Sequence, residues 1–167
     1  TELAPRHDRR PRSRATLFHV ALWNFWRKSA AALTPLHALN TGAQVRVGGV
    51  VEALDLLTDP TTGRGAVAID YVAKVPGALD QIYPGLLGDP AQSVHRLQKT
   101  VPFLLRDTDA CVRIHPTSSE GDLAALHNRL QEQFGINLRA VATLIEVAQR
   151  IEVEGVVERV ESHDPRR

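Results

Sequence analysis

The sequence predicts a mostly β member of the α+β class: a small OB-like β-barrel with an N-terminal helix and one further helix inserted between strands. Three observations predict it. Valine-rich segments alternate with polar residues at the two-residue period of a strand. Glycines interrupt these segments, as they do where small barrels turn corners. Only two segments show the helical period. The length of 167 residues, 43% of them hydrophobic, suits a single globular domain.

The chain divides into a tail, a helix, a barrel domain and a second tail. Residues 1–14 are rich in arginine and proline with little to bury, which predicts a disordered basic tail. Residues 15–39 are predicted to form the N-terminal helix, residues 40–161 the barrel domain, and residues 162–167 the closing tail. At about 100° per residue, one stripe of the predicted helix collects mostly apolar residues: Phe18, Leu22, Phe25, Trp26, Ser29, Leu33 and Leu36.

The first predicted strands lie between residues 43 and 74. Residues 43–57 alternate valine with polar residues and are broken by Gly48 and Gly49, which indicates a bulge or a sharp barrel bend. Residues 59–63 read Asp-Pro-Thr-Thr-Gly, a turn sequence in which proline fixes φ and glycine supplies a positive φ. Residues 66–74 then alternate as the next strand.

The middle of the chain predicts a long loop and a hairpin. Residues 76–90 hold three prolines and three glycines, and a loop of this length is either functional or loosely ordered. Residues 94–100 and 103–106 are predicted as a strand pair, or as one strand broken at Pro102. Residues 107–109 form a turn, and residues 111–115 close the hairpin.

The second predicted helix follows residue 118, with Ser119 and Asp122 resembling a capping box. Leu123, Leu126, Leu130 and Phe134 form its buried stripe. Gly135 is predicted just beyond its C-terminus, with Ile136 making the usual apolar contact there. Residues 138–149 and 150–161 are predicted to form two final strands, or one long bent strand.

Residues that commonly perform chemistry are few and scattered. The one cysteine, Cys111, excludes an internal disulfide and every multi-cysteine zinc site. The seven histidines form no close metal-binding pair. Cys111 and His115 share one face of a short strand but lie about 13 Å apart, which is too far for a catalytic dyad. The sequence therefore predicts no catalytic residue, no metal and no cofactor.

Charge and hydropathy limit the partners. The formal net charge of +1 creates no global field for nucleic acid or an anionic membrane. No run of about 20 apolar residues is present, and the sequence does not start with methionine. We therefore expect a piece of a longer product that is membrane-associated or cytoplasmic, with any anchor outside this chain.

Three motifs together resemble the GIDE domain. Residues 47–52 (VGGVVE) and 56–63 (LLTDPTTG) match its first motif, residues 102–116 (PFLLRDTDACVRIHP) match its centre, and Glu146 with residues 151–157 (IEVEGVV) matches its end. The order and spacing hold over about residues 43–160. Thr58 and Asp59 stand where the family has serine, and Ala110 stands for the glycine of the central turn. The positions that the resemblance marks as structural are Gly49, Pro60, Gly63, Pro102, Phe103, Asp107, Pro116 and Gly155.

GIDE domains occur in membrane-anchored ubiquitin ligases and in bacterial proteins that lack a RING. The resemblance implies a non-enzymatic protein-interaction module of a membrane-associated bacterial protein, because one cysteine cannot build a RING. We expect the first helix and the long loop to contact the protein partner, through Trp23, Arg27, Tyr83, Leu86 and Leu87.

Two alternatives to a protein-interaction module stay open. The predicted helix at residues 15–39 has aromatic residues on its apolar side and Arg27 and Lys28 at its flank, which suits a membrane interface. An OB-like barrel can also bind single-stranded nucleic acid, although an aromatic content of 5% argues against it. Homo-oligomerisation stays open.

Overall fold

In the computed structural model, described for residues 16–21, 32–76 and 92–159, the chain forms a five-stranded barrel joined to a three-stranded sheet. The mostly β prediction is confirmed. Within these ranges there are ten strands and one α-helix: β1 (Thr16–Ala21), β2 (Gln44–Ala53), β3 (Leu57–Thr58), β4 (Gly65–Ala66), β5 (Ala68–Pro76), β6 (Gln92–Thr100), β7 (Phe103–Arg106), β8 (Cys111–Thr117), α1 (Leu123–Phe134), β9 (Arg139–Ile145) and β10 (Arg150–Arg159).

The barrel closes in the order β1-β10-β2-β7-β8, with β8 returning to β1. All neighbours are antiparallel except β1 and β8, since a ring with an odd number of strands requires a parallel pair. Alternate residues point inward and bury one apolar core. Its buried side chains include Val47, Val51, Phe103, Leu105, Ile114 and Val153 from the barrel strands, with Ile145 from the end of β9.

The second sheet has the order β6-β5-β9, and one of its faces packs against α1. Odd-numbered residues of β5, with Tyr71 and Ile69 fully buried, pack against Leu123 and Leu130 of α1. Leu126 and Phe134 of the same helix are partly buried there, so the predicted apolar stripe of this helix is confirmed. The two cores meet where Val67 and Ala68 leave the barrel to begin β5.

Gly49 is required where β2 crosses β7. The residue is buried, and a Cβ on it would lie 2.6 Å from the Arg106 carbonyl oxygen and 2.9 Å from Leu105 Cγ. Such distances are far inside van der Waals contact, so the two backbones approach this closely only because glycine has no side chain. The neighbouring Gly48 has no such constraint, since its nearest atoms would be 3.6 Å away.

The predicted N-terminal helix is wrong where the structure describes it. Thr16–Ala21 is a barrel strand held between β10 and β8, and Leu36–Ala38 is a single 3-10 turn. Leu33 bridges to Arg46 of β2. The segment combines apolar and β-branched residues that suit a strand as well as a helix, and long-range pairing to two strands decides the outcome. Residues 22–31 lie outside the described ranges.

Three further predictions need correction. β6 and β7 belong to different sheets, so residues 94–100 and 103–106 form neither a strand pair nor one broken strand, whereas β9 and β10 confirm the alternative of two final strands. The cap of α1 is Asp122, whose Oδ1 accepts from the Ala125 amide at 3.1 Å, rather than Ser119. Ile136 is 99% exposed and makes no apolar contact after Gly135, whose φ of 50° does end the helix.

Candidate interaction surface

The residues predicted as partner contacts all fall outside the described ranges: Trp23, Arg27, Tyr83, Leu86 and Leu87. The structural positions of the family motif are described. Pro102, Phe103, Asp107 and Pro116 belong to the β7–β8 hairpin or its flanks, Phe103 being fully buried. Pro60 and Gly63 form the β3–β4 turn, and Gly155 lies in β10 opposite Val45.

The β3–β4 turn is built around a buried carboxylate. Asp59 is 1% exposed and accepts hydrogen bonds from the Thr61 amide at 3.0 Å and from the Thr61 and Thr62 hydroxyls. Burial raises the pKa of Asp59, but the hydrogen bonds from Thr62 and Thr61 outweigh it and leave the pKa below its ordinary value. Gly63, at φ +74°, donates its amide to the Asp59 carbonyl at 2.8 Å. These contacts indicate that the role of Asp59 is to hold the β3–β4 turn in shape.

Tyr71 and His127 form a second polar pair beneath the helix. The Tyr71 hydroxyl lies 2.9 Å from His127 Nδ1, and the two rings meet edge to face. Burial, followed by the charge of Asp59, raises the pKa of Tyr71 above its ordinary value. Because Tyr71 has no exposed surface, this hydroxyl satisfies a core polar group and has no access to a substrate.

Cys111 and His115 do not form a reactive pair. They lie on the outer side of β8, with Arg113 between them, and burial of the thiol raises the pKa of Cys111. Within residues 16–21, 32–76 and 92–159, no group of three or more His, Cys, Asp or Glu side chains is placed to hold a metal ion. In the same ranges no helix is long and apolar enough to cross a membrane.

The surface that stands out is the face of the second sheet turned away from α1, here called the open face. Paired residues of an antiparallel sheet share a face, so the pairings place nine side chains together in three rows. The rows are Gln98–Asp70–Thr143, Arg96–Val72–Val141 and Val94–Lys74–Arg139.

The open face combines exposed valines with positive charges that form no ion pair within the described part of the chain. Val94 and Val141 are 59% and 66% exposed, although valine is usually among the more buried residues. Lys74 and Arg139 are exposed and directly opposite each other, and neither forms an ion pair with a described carboxylate. Like charges directly opposite each other destabilise a sheet. The repulsion between Lys74 and Arg139 therefore destabilises the sheet, and the fold of the described residues does not require these two charges.

Arg96 is the third cation of the open face. Its Nε and Nη2 atoms donate to the two carboxylate oxygens of the buried Asp70, at 2.9 and 2.5 Å. The bidentate contact fixes the guanidinium across the sheet and neutralises Asp70. With three cations and one carboxylate, the face keeps a net positive charge.

Part of the barrel surface contrasts with the open face because its charged side chains are paired. Arg46 bonds Glu152 of β10, Gln44 donates to Glu154 of β10 at 3.4 Å, and Arg106 bonds Glu52 across β2 and β7. Each partner is displaced by two residues from the directly opposite position. Each of these pairs compensates its own charge locally.

Sequence reasoning missed the open face because it depends on register. The alternation in residues 66–74 and 138–149 indicated strands, but nothing local placed Lys74 beside Arg139 or Val72 beside Val141. One signal was available in the sequence: the segment RAVATLI of β9 carries a single charge and contains no proline, glycine or lysine. No family model, characterised protein or solved structure matches this chain.

Proposed function

We propose that this protein is a non-enzymatic interaction module that binds a protein partner through the open face of its second sheet. The observation that carries the proposal is that exposed valines share one regular sheet face with Lys74 and Arg139, two cations that form no ion pair with a described carboxylate. Apolar contact provides binding free energy, and fixed charges select the partner and its orientation.

The barrel arrangement supports a binding role. β2, β7 and β8 are consecutive antiparallel neighbours, β8 meets a parallel strand, and α1 lies in the connection from β8 to β10. We infer an OB-like barrel in which the N-terminal β1 supplies the strand that an OB-fold places last. On this reading β5 and β6 lie in the first loop of the barrel, between β2 and β7, a loop through which OB-folds bind ligands.

The resemblance to the GIDE domain supports the same class of function. The residues that carry it occupy turns, a hairpin and the barrel core, so they account for the fold and leave the partner to surfaces outside the motifs. Attachment to a membrane rests on the resemblance alone, and flotation with anionic liposomes tests it.

A nucleic-acid partner is less well supported by the open face. Proteins that bind single strands on a sheet stack bases on aromatic side chains. The nine side chains of this face include no aromatic residue. A salt series with short single strands tests this alternative, because phosphate contacts give a steep dependence on salt.

The test is retention of partners by immobilised protein with a charge reversal on the open face. We expect the Lys74→Glu, Arg139→Glu double variant to lose a protein partner that the wild-type chain retains. The matched control is Arg113→Glu with Arg129→Glu, which reverses two exposed arginines on the barrel and on α1. Equal retention by the wild type and the open-face variant would refute the open face as the binding surface.

A further inference from the structure

The two outer edges of the second sheet differ. β6 and β9 each pair with β5 on one side, and no other strand of the described chain pairs with either. The C-terminal part of β6 is nevertheless covered, because the Ser119 amide donates to the Gln98 carbonyl at 2.9 Å and the Thr100 amide donates to Ser118 Oγ at 3.2 Å. Lys99 adds a bond to the Ser119 carbonyl at 2.7 Å.

The outer edge of β9 has no such cover. Residues 139–144 make no backbone hydrogen bond to described residues apart from those that pair them with β5. The strand RAVATLI contains no proline, glycine or lysine and carries one charge, Arg139. Folded proteins usually protect an exposed edge with charges, prolines, bulges or a covering segment, because unpaired amides and carbonyls accept another strand.

From this contrast we propose that β9 accepts an extended acidic segment of a partner protein as an additional strand of the second sheet. The inference rests on the proposed function and specifies how the open face is used. A strand added beside β9 lies about 4.8 Å from it, so its alternate side chains extend the open face. A carboxylate of the added strand, placed near Arg139, compensates the positive charges of Arg139 and Lys74. An apolar residue of the added strand covers Val141.

Charge complementarity favours an acidic segment over a second copy of this chain. Antiparallel pairing of two β9 edges would merge two open faces into one sheet carrying Lys74, Arg96 and Arg139 from each copy. Bringing these like charges onto one surface opposes association. An acidic strand removes the same repulsion that Lys74 and Arg139 already exert on each other.

The probe is a synthetic seven-residue peptide, Glu-Thr-Val-Thr-Glu-Thr-Val, which is matched in length to β9 and carries glutamate and valine in turn on one face of the strand. Control peptides replace glutamate by lysine or glutamine. We expect the acidic peptide to bind the full chain with a Kd at or below about 1 mM, and we expect the lysine peptide not to bind. Val141→Asn should weaken binding by at least about fivefold, while Val156→Asn, at an exposed valine of the barrel strand β10, should change it by less than about twofold.

Backbone methylation separates edge pairing from contact with the face. Successive amides of an added strand point alternately to the edge and away from it. Of two peptides N-methylated on alternate residues in opposite phase, one should lose binding and the other should keep it. Hydrogen exchange should also show new protection in residues 139–145 when the unmodified peptide is bound.

Each contrary outcome has a distinct meaning. If both methylated peptides bind as well as the unmodified one while Arg139→Glu abolishes binding, edge pairing is overturned and the open-face function stands. Wild-type dimerisation that Val141→Asn abolishes would assign the edge to a second copy and overturn the acidic partner. No binding of the acidic peptide overturns the partner chemistry. If the acidic peptide does not bind and charge reversal of the open face also leaves partner retention unchanged, both the acidic-strand proposal and the proposed function are refuted.

Discussion

Replacing Gly49 by alanine should destabilise the barrel far more than replacing the adjacent Gly48. The added methyl group at position 49 would meet the Arg106 carbonyl oxygen at 2.6 Å and Leu105 Cγ at 2.9 Å. The first of these atoms belongs to the backbone of a barrel strand and cannot rotate away. Relief therefore requires β2 and β7 to separate at the point where the barrel closes.

The expected cost follows from overpacking in other protein cores. Forcing an extra methylene into a packed core typically costs about 1–3 kcal/mol, and a backbone obstacle places Gly49→Ala near 3 kcal/mol, at the upper end. For a chain of 167 residues, this corresponds to a fall in Tm of roughly 6–12 °C. The mutation leaves the open face untouched.

Gly48→Ala is the matched control. Its methyl group would lie 3.6 Å from Leu33 Cδ1 and 3.7 Å from Glu152 Cγ, which is ordinary contact. Alanine also restricts the unfolded chain, so the free energy of unfolding should stay the same or rise by up to about 1 kcal/mol. Thermal and urea unfolding followed by circular dichroism would measure both variants. Equal Tm values for the two would refute the close approach of β2 and β7.

Three further predictions concern single polar groups. Asp59→Asn should lower the free energy of unfolding by about 1.5–3 kcal/mol at neutral pH, because hydrogen bonds to a carboxylate are lost. Folding lowers the pKa of Asp59, so its contribution to the free energy of unfolding is complete above the unfolded pKa and disappears as pH falls through the folded pKa. Urea unfolding should therefore give the same free energy of unfolding for the variant and the wild type in acid. A difference that stays constant with pH would contradict the assignment. Tyr71→Phe should cost about 1 kcal/mol by removing the bond to His127, and it should also abolish a tyrosine ionisation above the ordinary range in an ultraviolet titration; an unchanged titration curve would count against a raised pKa of Tyr71. Cys111 should react with a thiol reagent at neutral pH more slowly in the folded chain than after denaturation, because burial raises its pKa; equal rates would show otherwise.

Local patterns predicted individual elements better than their partners. The alternation in residues 66–74 and the stripe of Leu123, Leu126 and Leu130 depend on neighbours a few positions away, and both elements form as expected. The cap of the helix moved from Ser119 to Asp122 because both residue types cap well and only the path of the preceding loop selects one.

Which strands pair over long distances could not be predicted from the sequence. Thr16–Ala21 satisfies a helical stripe, yet it becomes a strand because it completes the barrel between β8 and β10, more than 90 residues away. The sequence also indicated one barrel where the chain builds a barrel and a separate sheet, since alternation does not identify which strands pair. The open face was missed for the same reason, because Lys74 and Arg139 meet only through the register of β5 and β9.

Amide hydrogen exchange of the full chain, with and without the acidic seven-residue peptide, tests the binding account most directly. We predict that exchange slows in residues 139–145 and stays unchanged in residues 92–100 at the opposite edge of the same sheet. Protection confined to the barrel strands, or equal protection at both sheet edges, would contradict the assignment of β9 as the binding strand.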